Sequence, residues 1–92
     1  MVATLSPIPP ADPAAARERV LAILRGLLEE LGSQGALPIL APDAHLERDL
    51  GLGSLERVEL MARLEYAFAV RLPDSVITSA ETPEQIAQAL LH

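Results

Sequence analysis

Apolar positions along the chain return in helical register in several stretches and follow no register in one long stretch between them. After Asp12, the residues Val20, Ile23, Leu24, Leu27, Leu28 and Leu31 fall on one face at about 100° per residue, while Glu18, Arg25 and Glu29 fall on the other. Asp12-Pro13 is a helix start, because Asp caps well and proline gives up an amide that the first turn does not use. Gly32 is a helix stop. The first helix is therefore expected over about 13–31. Gly26 inside it costs about 1 kcal/mol against alanine, which predicts a close neighbour there. A second helix is expected over about 54–69. It places Leu60, Met61, Leu64 and Phe68 on one face and Glu56, Glu59, Arg63 and Tyr66 opposite, with Leu55, Val58 and Ala62 as an apolar strip beside the charged one. Glu59 and Arg63 stand i,i+4 in the favourable order.

The later stretches are shorter. Pro73 disfavours helix at Leu72, and Asp74 then caps a short helix over 74–79. A strand competes for Ser75 to Thr78 because Val76, Ile77 and Thr78 are β-branched, but a lone strand would have no partner. Thr82-Pro83-Glu84-Gln85 opens a last helix over 83–91, whose buried face is Ile86 and Leu90. Ser33 to Gly53 has no helical period and is longer than the roughly 12–15 residues of an ordinary connection. Its Leu37, Ile39, Leu40, Leu46, Leu50 and Leu52 make it a loop that wraps the helices and buries its side chains, with a single turn expected over Asp43 to Leu46. Pro7, Pro9 and Pro10 mark residues 1–11 as a flexible leader, which leaves 12–92 as one domain. The layout is all-α: a small four-helix bundle with a long loop between helices 1 and 2 and a short third helix.

Composition agrees. Of 92 residues half are hydrophobic, yet Tyr66 and Phe68 are the only aromatics, so the core is aliphatic and suits packed helices. Without cysteine there is neither a disulfide nor a thiolate metal site. No apolar run is long enough to cross a bilayer, and the N-terminus lacks the basic and apolar regions of a secretory signal, so the chain reads as cytoplasmic with no membrane partner. Thirteen acidic against seven basic side chains give a net charge of −6, which disfavours nucleic acid and favours partners with basic patches.

The stretch Asp49-Leu50-Gly51-Leu52-Gly53-Ser54-Leu55-Glu56-Arg57-Val58-Glu59-Leu60 carries the candidate chemistry. Two glycines form a tight turn, and at Ser54 the pattern turns helical. Ser54 reads as the N-cap, capping singly because Arg57 stands where a capping box wants Glu or Gln. A phosphate on its hydroxyl would meet free amides and the positive end of the helix dipole. Other chemistries fail on residue type. An esterase serine needs glycine where Leu52 and Glu56 stand. A dinucleotide fingerprint lacks its third small residue, and a phosphate-binding loop lacks its Gly-Lys pair. Asp43, His45, Glu47 and Asp49 alternate without a metal-ligand spacing. No metal site and no catalysis by the chain itself are expected.

The Leu50-Gly51-Leu52-Gly53-Ser54-Leu55 frame, with Val58-Glu59-Leu60 in the following helix, resembles the acyl carrier protein family. The resemblance runs from about Leu46 to the C-terminus and more loosely back through the first helix. It implies a 4′-phosphopantetheine arm on Ser54, attached by a phosphopantetheinyl transferase from coenzyme A. The arm would hold acyl groups as thioesters for acyl ligases, acyltransferases or ketosynthases of fatty-acid, polyketide or related metabolism. It also implies a monomer, a docking surface on Leu55, Glu56, Val58, Glu59, Ala62 and Arg63, and a cavity lined by Met61, Phe68 and aliphatic neighbours that opens to an acyl chain. Arg57 and Arg63 interrupt the acidity of that surface, and Gly53 stands where the family usually has Asp. Two alternatives remain: a peptidyl carrier, against which Leu52 in place of a second glycine weighs, and an unmodified helical interaction module.

Overall fold

Asp12 begins the first helix by accepting a hydrogen bond from the Ala15 amide at 2.7 Å, with Pro13 in the first turn. The computed structural model describes residues 12–91. The leader expected over 1–11 lies outside them. Helix α1 spans Pro13–Glu30, a 3₁₀ turn spans Leu37–Ile39, and α2 (Ser54–Phe68), α3 (Asp74–Ser79) and α4 (Pro83–Leu90) follow. Regular structure among the described residues is all helical, so the stretch that could have been a strand is α3. Pro73 precedes its first turn and leaves it without a side-chain cap.

Helix α1 packs on α4 and on α2. Val20, Leu24 and Leu28 meet Leu60, Met61, Leu64 and Phe68 of α2 and Ile86, Ala87 and Leu90 of α4 in one continuous core. Burying an aliphatic side chain of this size contributes about 1.5–3 kcal/mol, so these residues decide the packing. No charged or polar residue is buried among those described, and the ion pairs lie at the surface. Arg17 of α1 meets Glu84 of α4 at 2.5 Å across the helix pair.

The long loop joins the core as expected at Leu46, Leu50 and Leu52, each at most 3% exposed. Two backbone bonds fix its course: the Leu46 amide donates to the Glu81 carbonyl at 2.8 Å and the Glu84 amide to the Pro42 carbonyl at 2.9 Å. The second satisfies an amide that the start of α4 would otherwise leave free.

Four expectations need correction. Ile39 is 51% exposed and Leu31 is 46% exposed. Leu31 follows the last helical residue, where the chain leaves the α1 axis, and Ile39 turns outward on the 3₁₀ segment. Nothing approaches within 4 Å of where a Cβ on Gly26 would lie, so no close neighbour explains that glycine. The turn expected at Asp43 to Leu46 forms later, where the Asp49 and Leu50 amides both donate to the His45 carbonyl. Met61 and Phe68 lie in the core, each 1% exposed. A cavity of about 310 Å³ lies at the other end of α2 from Ser54, among Val70, Leu72, Pro73, Val76, Ala89 and Leu90.

Candidate functional site

The loop before Ser54 is built by its own backbone. His45 Nδ1 accepts from the Arg48 amide at 3.0 Å, and the Asp49 carboxylate accepts from the His45 amide at 2.8 Å. His45 and Asp49 therefore hold a turn. No group of three His, Cys, Asp or Glu among the described residues is placed to hold a metal ion. The Gly51 amide donates to the Glu47 carbonyl and the Leu52 amide closes the loop onto Leu46, each at 3.0 Å. Closing it requires φ +73° at Gly51, a left-handed value that strains any residue with a side chain. The buried side chains of Leu50 and Leu52 on either side anchor the turn to the core.

Ser54 follows, exposed, at the start of α2. It is the first helical residue rather than the N-cap, which is Gly53. The physical reason is Glu56. Its Oε1 accepts from the Gly53 amide at 3.0 Å, and the Gly53 carbonyl receives the Arg57 amide at 2.9 Å, so the first helical turn closes one residue earlier than a serine cap would allow. Glu56, not Arg57, holds the third helical position and reaches back as in a capping box. Gly53 has no side chain to complete the reciprocal bond. The amides of Ser54, Leu55 and Glu56 consequently have no protein acceptor among the described residues. They surround the start of the helix where the serine hydroxyl stands, at the positive end of the dipole.

Of the other residues expected at the site, Leu55 is 77% and Val58 59% exposed, and Ala62 and Glu59 are exposed beside them. Glu56 lies apart from this strip in one respect: its carboxylate is turned back on Gly53. Arg63 is engaged twice, through Nε to Glu59 at 2.8 Å and through its two terminal nitrogens to Glu30 of α1 at 2.7 and 2.9 Å. Its guanidinium holds the Glu30 carboxyl below the usual glutamate range, and the two carboxylates raise Arg63 in turn.

Arg57 keeps its charge but is turned to α3. Its Nη1 donates to the Ile77 carbonyl at 3.2 Å and to the Ala80 carbonyl, at the C-terminal end of α3. Those carbonyls are orphans of a helix end, and a cation there also meets the negative end of the dipole. Sequence reasoning missed this role because the partner carbonyls lie 20 and 23 residues away. It also missed Glu30, which carries no local signal. Glu56 was detectable: it stands three residues after Gly53, the capping-box spacing counted from the glycine instead of the serine.

A family model described as the phosphopantetheine attachment site matches residues 18–90. The chain is 35% identical to an acyl carrier protein of Streptomyces coelicolor over 79 residues, 85% of this chain and 86% of that relative. It is 44% identical over 48 residues to an acyl carrier protein of Syntrophobacter fumaroxidans, a match that takes in 52% of this chain and 59% of the relative's length.

Proposed function

The chain belongs to the phosphopantetheine-attachment family that includes acyl carrier proteins, and on that premise we propose that Ser54 carries the arm and that the protein presents acyl thioesters to partner enzymes. The family is defined by covalent attachment of 4′-phosphopantetheine. The observation that carries the assignment to this serine is geometric. Ser54 is exposed at the first position of α2, directly after a turn held by Gly51, and three amides of the helix start beside it have no protein acceptor among the described residues. In the modification the Ser54 hydroxyl attacks the phosphorus of coenzyme A that bears the pantetheine. A phosphodiester forms, adenosine 3′,5′-bisphosphate leaves, and the hydroxyl proton passes to a base of the transferase. The negative phosphodiester then lies at the positive end of the helix.

The protein's part is placement, and the chemistry belongs to its partners. Tethering substrate to Ser54 raises its local concentration at each enzyme that docks. Leu55, Val58 and Ala62 form the apolar centre of the docking face. Glu56, Glu59 and Arg63 form its rim, and the net charge of −6 steers encounter with basic surfaces. Partners are a phosphopantetheinyl transferase and then acyl ligases, acyltransferases or ketosynthases of fatty-acid or polyketide metabolism, met by a monomer in the cytoplasm, where coenzyme A is drawn. The names of both relatives support the acyl rather than the peptidyl reading. The test is intact mass after incubation with coenzyme A and a broad-specificity transferase. Wild type gains one phosphopantetheine and Ser54→Ala gains none; an arm on Ser54→Ala, or none on wild type beside a modified control carrier, refutes the assignment.

A further inference from the structure

The N-cap of a helix ordinarily supplies a side-chain oxygen to an amide of the first turn. Gly53 supplies none, and its backbone gives no reason for glycine, since φ −85° and ψ −170° are open to any residue. Space gives the reason. A Cβ added to residue 53 would lie 3.0 Å from Glu56 Oε1, tighter than nine in ten such contacts. That oxygen is the one that accepts from the Gly53 amide, also at 3.0 Å. The bare glycine and the inward carboxylate are thus fitted to each other: a side chain at 53 makes Glu56 Oε1 give by a few tenths of an ångström. A glycine beside a reactive serine, left unheld, samples both signs of φ and carries the serine with it. The Arg57 amide holds the Gly53 carbonyl, and the bond from Glu56 holds the amide on its other side.

We infer that Glu56 is a positioning residue for Ser54, its carboxylate fixing the Leu52–Gly53 peptide that leads into the serine and so the direction in which the serine hydroxyl faces the transferase. The inference rests on the reading of Ser54 as the attachment site. It assigns Glu56 a role distinct from docking: docking charge acts on the encounter with the transferase and shows in KM, while orientation of the hydroxyl acts on the bound complex and shows in kcat.

The experiment combines amide hydrogen exchange at Gly53 with steady-state kinetics of arm transfer from coenzyme A. Glu56→Ala loses the protection of the Gly53 amide and lowers kcat by about tenfold, the factor that one bond to a charged acceptor supports. Glu56→Gln keeps an oxygen in place and recovers most of that loss, whatever its missing charge does to KM. Gly53→Asp brings no gain in kcat on the wild-type background. Combined with Glu56→Ala it restores kcat, because the new carboxylate at 53 has room and can cap the residue 56 amide. Unchanged kcat and protection in Glu56→Ala overturns the inference. So does an equal gain from Gly53→Asp on both backgrounds, which would show position 53 acting on the transferase directly. Failure of the Ser54 reading looks different: wild type takes no arm while a control carrier does, and the inference falls with it.

Discussion

Helices α1 and α2 end in the same backbone motif with different residues at its demanding position. At the end of α1 the Ser33 amide donates to Leu28 and the Gly32 amide to Glu29, with Gly32 at φ +73°. At the end of α2 the Val70 amide donates to Glu65 and the Ala69 amide to Tyr66, with Ala69 at φ 57° and ψ 43°. Each closes the orphan carbonyls through a left-handed residue. Left-handed backbone costs an L-residue about 1–2 kcal/mol. Replacing alanine by glycine also loosens the unfolded chain, which returns about 0.4–1 kcal/mol of that. Ala69 is exposed, so no packing is lost with its methyl group. Ala69→Gly is therefore expected to stabilise by about 0.5–1 kcal/mol, or about 4 °C in melting temperature for a domain of this size. Gly32→Ala is the mirror experiment. Its added Cβ meets nothing within 4 Å, so its cost is purely conformational and of the same size with opposite sign. The positions share no partner, so the double variant returns to wild-type stability within about 0.5 kcal/mol. Urea unfolding followed by circular dichroism measures all four proteins. A destabilised Ala69→Gly, or a double variant that fails to cancel, refutes the conformational account.

Arg57→Ala strips the Ile77 and Ala80 carbonyls of their donor, costs about 1.5 kcal/mol, and speeds hydrogen exchange in α3 beyond the change seen in α1; uniform acceleration across the chain would show that Arg57 does not hold α3 specifically. Glu84 gives a pH test. Bonds from Arg17 and then Gln88 hold its carboxyl below the usual glutamate range. A group whose folded value is depressed contributes stability above its unfolded value, about 4.3, and loses it as pH falls through the folded one. The urea midpoint of Glu84→Gln is therefore lower than that of wild type at about pH 7, and the gap closes towards about pH 3; a gap that persists in acid would mean the pair acts through packing instead of charge.

What the sequence disclosed was local. Asp12-Pro13, Thr82-Pro83 and the Gly32 stop act over three or four neighbouring residues, and the core face of α2 follows from helical period alone. Ser54 was legible as the candidate because glycine turn and helical pattern meet there. Its register was not. Whether residue 53 or 54 caps depends on which way the Glu56 side chain folds, and serine and glycine both serve as caps. In the long loop, Leu46, Leu50 and Leu52 are buried while Ile39 is not, a choice that no period encodes because side chains outside a helix have no fixed phase. Arg57 shows the same limit from another side. A helical wheel gives the direction in which its side chain leaves α2, but the carbonyls it meets belong to an element placed by separate packing.

The two stitches that hold the long loop to the start of α4, Leu46 to Glu81 and Pro42 to Glu84, run from main chain to main chain. Such seams do not read side chains, so substitution at the exposed Asp43 between them leaves the loop on course. They do read length. One residue added between Pro42 and Leu46 would put the two seams out of step and shift the platform on which Ser54 stands. One added near Gln34 and Gly35, both exposed and ahead of either seam, would bulge harmlessly into solvent. A linker or reporter grafted into this protein belongs at the second place.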